Sequence, residues 1–118
     1  MNTDIQRIDT NARMSHVVVH NGVAYLAGSV AKDYAGGLRQ QAAEALADIE
    51  QTLQTVGSNK SRILSAQIWL KDLSRDFKDM NAVWEAWLPE GAAPARATCQ
   101  VDMADPAILI EIIVTAAV

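Results

Sequence analysis

The chain has 118 residues, half of them apolar, with 10 Lys and Arg against 14 Asp and Glu, for a net charge of −4. That length suits one domain with its own core, so residues 1–118 are read as a single unit. The acidic balance and scattered cations argue against a nucleic-acid binder. No apolar run nears the roughly 20 residues of a membrane helix. Met1-Asn2-Thr3-Asp4 carries no secretory pattern and Cys99 has no partner for an internal disulfide, which together point to the cytoplasm.

A short strand is expected around Ile5–Ile8. Val17-Val18-Val19-His20 and Val23-Ala24-Tyr25-Leu26-Ala27 then flank Asn21-Gly22, the preferred two-residue hairpin loop because both positions need positive φ. Apolar residues from Leu38 to Val56 recur at helical spacing, and Gly57 supplies the left-handed stop. From Arg62 to Lys71 the period becomes two: Leu64, Ala66, Ile68 and Leu70 share one side, Ile63, Ser65, Gln67 and Trp69 the other. A second helix carries Phe77, Met80, Trp84, Trp87 and Leu88, with Ser74 or Asp76 as cap and Pro89 as stop.

Two final strands are expected to form a hairpin about Ala104-Asp105-Pro106-Ala107. In the first, Ala97, Cys99, Val101 and Met103 oppose Arg96, Thr98, Gln100 and Asp102. In the second, Ile108, Ile110, Ile112 and Val114 oppose Leu109, Glu111, Ile113 and Thr115. The order βββαβαββ makes an α+β fold, a mostly antiparallel sheet with two helices on one face. The other face, expected to hold Trp69, Ile63, Leu109 and Ile113 with Arg96, Glu111, Thr98 and Gln67, is too apolar for free solvent and too polar for a dry core. A subunit interface accommodates that mixture.

Arg96 and Glu111 stand out because each interrupts an apolar run on that face. Opposed across the expected hairpin, they could form a structural ion pair that fixes register. Alternatively, Arg96 grips a ligand carboxylate in its two-pronged fork while Glu111 holds a water or an amine. Other candidates are blander. His16 and His20 lack metal-ligand company and read as surface imidazoles. Cys99 reads as a small buried hydrophobe, and Trp84 and Trp87 as core anchors. Gly36-Gly37 reads as a lid or hinge without phosphate-loop spacing, and Lys60, Arg62 and Lys71 as a solvated loop.

Several segments together resemble the Rid (YjgF-type) family. They are Tyr25-Leu26-Ala27-Gly28-Ser29-Val30, Leu53-Gln54-Thr55-Val56-Gly57-Ser58, Asp79-Met80-Asn81-Ala82-Val83-Trp84, Pro94-Ala95-Arg96 and Ile110-Glu111-Ile112. Arg7-Ile8-Asp9, Gly57-Ser58-Asn59-Lys60-Ser61 and the terminal Ala116-Ala117-Val118 resemble its YoaB-like branch. The resemblance implies a chorismate-mutase-like fold assembled as a homotrimer with clefts between subunits. It also implies cofactor-independent hydrolysis of 2-imino and enamine acids, such as 2-aminoacrylate, to 2-keto acids and ammonia. On that reading Arg96 clamps the carboxylate and Glu111 positions water, while Gly28 and Thr98 offer backbone groups and Met14 lines the substrate site. Met14, Ala27, Ser29 and Thr98 stand where well-characterised members carry a tyrosine, a serine, a glutamine and a cysteine, so side-chain hydrogen bonds at Met14 and Ala27 are lost. A non-catalytic small-carboxylate sensor or partner-binding trimer is the alternative. The endoribonuclease label attached to relatives fits the acidic charge and lack of basic–aromatic patches worst.

Overall fold

The computed structural model describes residues 4–118; Met1–Thr3, part of the segment read above for a leader, lie outside the described residues. Strands β1 (Gln6–Thr10), β2 (Ser15–His20) and β3 (Val23–Leu26) precede helix α1 (Leu38–Thr55). A 3₁₀ turn at Lys60–Arg62 leads to β4 (Ile63–Leu70), followed by α2 (Leu73–Trp87), β5 (Ala95–Gln100) and β6 (Ile110–Ala117). The order is the one expected from the sequence, and the strands form one sheet, β1-β2-β3-β6-β4-β5. Among the described residues no helix is long and apolar enough to cross a membrane.

Local chemistry sets the elements. Asn21 and Gly22 both adopt positive φ (50° and 78°), as the β2–β3 turn demands. Gly57 does the same (φ 78°) beyond α1. The cap of α2 is Asp72, whose side chain accepts from the Arg75 N–H, rather than Ser74 or Asp76. Asp72 is the residue whose carboxylate stands outside the first turn, where the helix has free N–H donors.

The core lies between the sheet and the helices. Leu46, Ile49 and Leu53 of α1 and Met80 and Trp84 of α2 meet Ala66, Ile68 and Leu70 of β4 and Ile110, Ile112 and Val114 of β6. Trp84 and Trp87 stack at 5.8 Å with a 32° tilt, so both serve packing as expected. A buried Gln41, missed by the sequence reading, donates to Tyr34, Gly36 and Ala107 carbonyls and accepts from the Leu109 N–H. It straps the loop before α1 to the entry of β6, so Gly36-Gly37 is tied down on one side and supplies the N-cap residue of α1 at Gly37.

Three expectations about strands need correction. First, β5 and β6 form no hairpin: β4 lies between them, antiparallel to β6 and parallel to β5. A strand–helix–strand run, β4-α2-β5, is the unit that joins parallel neighbours, because the helix spans the return path. Second, a register shift between Ile63 and Ser65 turns Ile63 inward and leaves Leu64 49% exposed, the reverse of strict alternation. Third, the face assignment of β5 is inverted. Arg96 lies beside buried Ala66 and Thr98 beside buried Ile68 on the helix side, whereas Ala97 and Cys99 flank Gln67 and Trp69 on the open side. Cys99 is therefore exposed rather than buried. β5 is an edge strand whose helix side is only partly roofed, so the long Arg96 side chain reaches water past the helix whereas the short Thr98 hydroxyl does not.

The molecule is a thin slab, 46 × 37 × 20 Å, about one sheet and one helical layer deep. Its open face carries Tyr25, Thr115, Ser65, Ile113, Gln67, Trp69, Glu111 and Cys99 in cross-strand rows. Because β4 carries ladders on both sides and Ile68 is fully buried at its middle, Ile68→Ala should lower unfolding free energy by about 2–5 kcal/mol. Urea denaturation at fixed protein concentration should show the lower midpoint.

Candidate functional site

Glu111 sits on β6 opposite Trp69 of β4 and is half-buried on the open face. Its carboxylate has no hydrogen bond or ion pair among the described residues. Partial burial without a compensating cation raises its pKa above the ordinary glutamate value, since desolvation penalises the charged form.

The carboxylate rests on Gly28. A bridge between Ser29 and Ile112 (N–H to O 2.8 Å and 2.9 Å) lays Gly28 and Ser29 along β6. A Cβ on Gly28 would collide with Glu111 Oε2 and stand 2.9 Å from its Cδ. Glycine is thus the side chain that lets backbone and carboxylate meet. Ser29 turns inward instead, its hydroxyl donating to the Ala45 carbonyl and to Asp48 Oδ2. It anchors the segment to α1 and is not offered to a ligand.

Arg96 is elsewhere. On the helix side of the sheet margin, its Nη1 donates to Asn81 Oδ1 on α2 at 2.8 Å and approaches Met80 Sδ at 3.9 Å. Among the described residues no carboxylate pairs with it. Two residues along the same face, Thr98 Oγ1 is buried without a hydrogen-bond partner. Arg96 and Thr98 thus form one cluster, and Glu111 and Gly28 another. Strands β5 and β6 are separated by β4, placing the clusters about 10 Å apart laterally and on opposite faces. The expected Arg96–Glu111 pair within one chain does not exist. The sequence signal for this was the strand–helix–strand run before Arg96, which argues for parallel pairing.

Met14 is 50% exposed in the β1–β2 turn, where Asn11 Oδ1 accepts from the Arg13 and Met14 N–H groups. It touches neither cluster through a hydrogen bond. His16 bonds Thr52 on α1 at 2.9 Å and His20 bonds Asn21 at 3.1 Å, so both imidazoles are half-buried and engaged. Lys60 pairs with Glu50 and lies over Trp87, Arg62 donates to the Ala117 carbonyl, and Lys71 to that of Pro106. The presumed solvated cations are therefore structural ties. Among the described residues no group of three His, Cys, Asp or Glu side chains is arranged to hold a metal.

The contact between Gly28 and Glu111 has a direct test. Gly28→Ala should displace the flexible end of Glu111 rather than the backbone, costing little stability. Moved toward water, the carboxyl should titrate closer to its ordinary value. A carbon-detected NMR titration of Glu111 in both proteins should show the fall; an unchanged titration means that Gly28 does not set the carboxylate's environment.

The sequence profile of the family described as Endoribonuclease L-PSP matches residues 4–118. The chain is 44% identical over 114 residues to the RutC family protein YoaB of Escherichia coli, covering 97% of this chain and 98% of that protein. It is 29% identical over 93 residues to the bovine protein named 2-iminobutanoate/2-iminopropanoate deaminase, covering 74% of this chain and 66% of that one. A crystal structure of a YjgF-family protein from Neisseria meningitidis superposes with a TM-score of 0.93 at 37% identity, covering 98% of this chain and 95% of that one. Profile, relatives and fold agree: the chain belongs to the Rid (YjgF-type) family, on its YoaB-like branch.

Proposed function

We propose that the protein hydrolyses reactive 2-imino and enamine acids to 2-keto acids and ammonia, in clefts between three copies of the chain. The observation that carries this reading is the division of the site into two incomplete halves. Glu111, unpaired and poised against Gly28, occupies the uncovered face of the sheet. Arg96, with no acidic partner, occupies the margin of an edge strand. A neighbouring copy seated on the open face would bring the Arg96 margin of one subunit to the Glu111 face of the next, and would cover Trp69, Ile113 and Tyr25. The name of the bovine relative supports the substrate class.

The chemistry is balanced by water alone. Arg96 orients the substrate carboxylate through charged hydrogen bonds. Glu111 takes a proton as water adds to the imine carbon, and a raised pKa makes it a better base near neutral pH. Glu111 passes that proton to the nitrogen to give the carbinolamine. It then moves the hydroxyl's proton to the nitrogen as the C–N bond breaks and the C=O forms, and keto acid and ammonia leave. No electron is transferred and no cofactor is required. Holding reactants in place is a sufficient contribution for a substrate that already hydrolyses in water. The alternative is a trimer that binds small carboxylates or a partner without turnover. It draws on Met14 and Ala27, which bring no polar side-chain groups to positions that the resemblance assigns to the substrate site.

Light scattering at micromolar concentration should return the mass of three chains; a monomer mass removes the shared cleft. Arg96→Ala should weaken 2-ketobutyrate binding by about 1.5–3 kcal/mol, the range for a charged hydrogen bond, as read by titration calorimetry. Glu111→Gln should slow imine hydrolysis by on the order of tenfold or more. Its folded pKa is raised, so Glu111 contributes stability below its unfolded pKa of about 4.3 and loses that contribution as pH rises through the folded value. At neutral pH the glutamine variant should therefore melt no lower than wild type. A lower melting temperature with an unchanged rate makes Glu111 structural, and no catalysed rate in either protein favours the non-catalytic reading.

A further inference from the structure

Arg96 does not reach its position alone. Its Nη1 donates to Asn81 Oδ1 at 2.8 Å and lies 3.9 Å from the sulfur of Met80, a residue only 1% exposed. Met80 and Asn81 are consecutive on α2, so one helical turn supplies both the apolar rest beneath the guanidinium and the acceptor that fixes its direction. A long side chain at the margin of an edge strand would otherwise sample many rotamers, and ordering it would be charged against binding.

The acceptor's lack of charge is the informative feature. Acids stand nearby in sequence on the same helix, but they are engaged elsewhere. Asp79 pairs with Arg39 at 2.9 Å, and Asp76 takes both prongs of Arg75 at 3.0 and 2.9 Å. Among the described residues, the one oxygen on the Arg96 guanidinium is a carboxamide oxygen. An amide holds a guanidinium by a single neutral acceptor and leaves its full charge and remaining N–H donors for another group. A carboxylate at the same place would hold it more strongly and neutralise it, competing with any incoming anion.

We propose that Asn81 is a positioning residue that presents Arg96, still uncompensated, to the carboxylate of the substrate, so that neutrality at position 81 determines whether the site binds acids. The inference rests on the reading of Arg96 as the carboxylate clamp and adds a requirement to it. It also separates two quantities that a merely structural role would keep together. If Asn81 only docks α2 to β5, then replacing its weak neutral bond by an ion pair in Asn81→Asp preserves or improves everything. If it presents a charged clamp, the same change preserves stability while blocking the clamp.

Melting temperature and 2-ketobutyrate affinity, by titration calorimetry at pH 7, are measured for wild type, Asn81→Asp, Asn81→Ala and Arg96→Ala. Asn81→Asp should melt at or above wild type yet bind tenfold or more weakly, the cost of a lost charged contact. Asn81→Ala should bind about threefold to tenfold more weakly because Arg96 must then be ordered by the ligand. Steady-state kinetics should place both losses mainly in KM. Wild-type affinity in Asn81→Asp, with Arg96→Ala impaired, overturns the inference and leaves the Arg96 reading intact. Wild-type affinity in Arg96→Ala overturns that reading and this inference together. Should Asn81→Asp fail to fold, Asn81→Ala decides, and unchanged affinity there overturns the tether.

Discussion

The central position of β4 is the constraint on which the rest of the molecule depends. It forms ladders with β6 on one side and β5 on the other while presenting Ala66, Ile68 and Leu70 to the helices. Because β4 satisfies both its neighbours, β5 is forced outward to the edge and β6 inward. That single arrangement places Arg96 at a margin and Glu111 in the interior of an uncovered face. A hairpin of β5 on β6 would have put both on one surface within one chain; interposing β4 divides them. The same arrangement leaves the slab with one roofed and one bare face, the latter carrying Trp69, Ile113 and Tyr25 beside a desolvated carboxylate. Apolar surface of this kind is favourably removed from water by association.

Among the described residues Glu111 and Arg96 are each left without an oppositely charged partner, by different means. Glu111 has no cation beside it and packs its carboxylate against a glycine, so that its proton affinity rises. Arg96 has no anion beside it and is held by an amide oxygen. An ion pair between them in one chain would have quenched both, lowering the glutamate's pKa and occupying the guanidinium's fork. Separation by a strand and by the thickness of the sheet prevents that pairing.

The hairpin, both helices and the buried face of β6 were legible in the residues, because each is encoded by a local device. Asn21-Gly22 carries the positive φ of the turn, the apolar spacing from Leu38 onward traces one helical face, and alternation from Ile108 to Thr115 follows the pleat. Arg96 and Glu111 were visible as charges interrupting apolar runs and Gly28 entered through the family resemblance, whereas the contact of Gly28 with Glu111 was found only in the fold. What failed was pairing. Ala95–Gln100 is built from small and polar residues with little difference between its two sides, so alternation carried no information about which side faces the helices. The shift at Ile63 and Ser65 was equally silent, since a bulge is a backbone event that either pattern of side chains tolerates.

Propensity, capping and periodicity act over a few neighbouring residues, so the elements, their order and the chemical types available for a site follow from the chain's local chemistry. Long-range packing settles which strand lies beside which, that Arg96 meets Asn81 instead of Glu111, that Gln41 straps two loops together, and that Glu111 lies on Gly28. Strand pairing is made by backbone N–H and C=O groups that every residue but proline carries alike. The choice of partner therefore falls to long-range burial, which here favours the βαβ return through α2 and the insertion of β6 on the other side of β4.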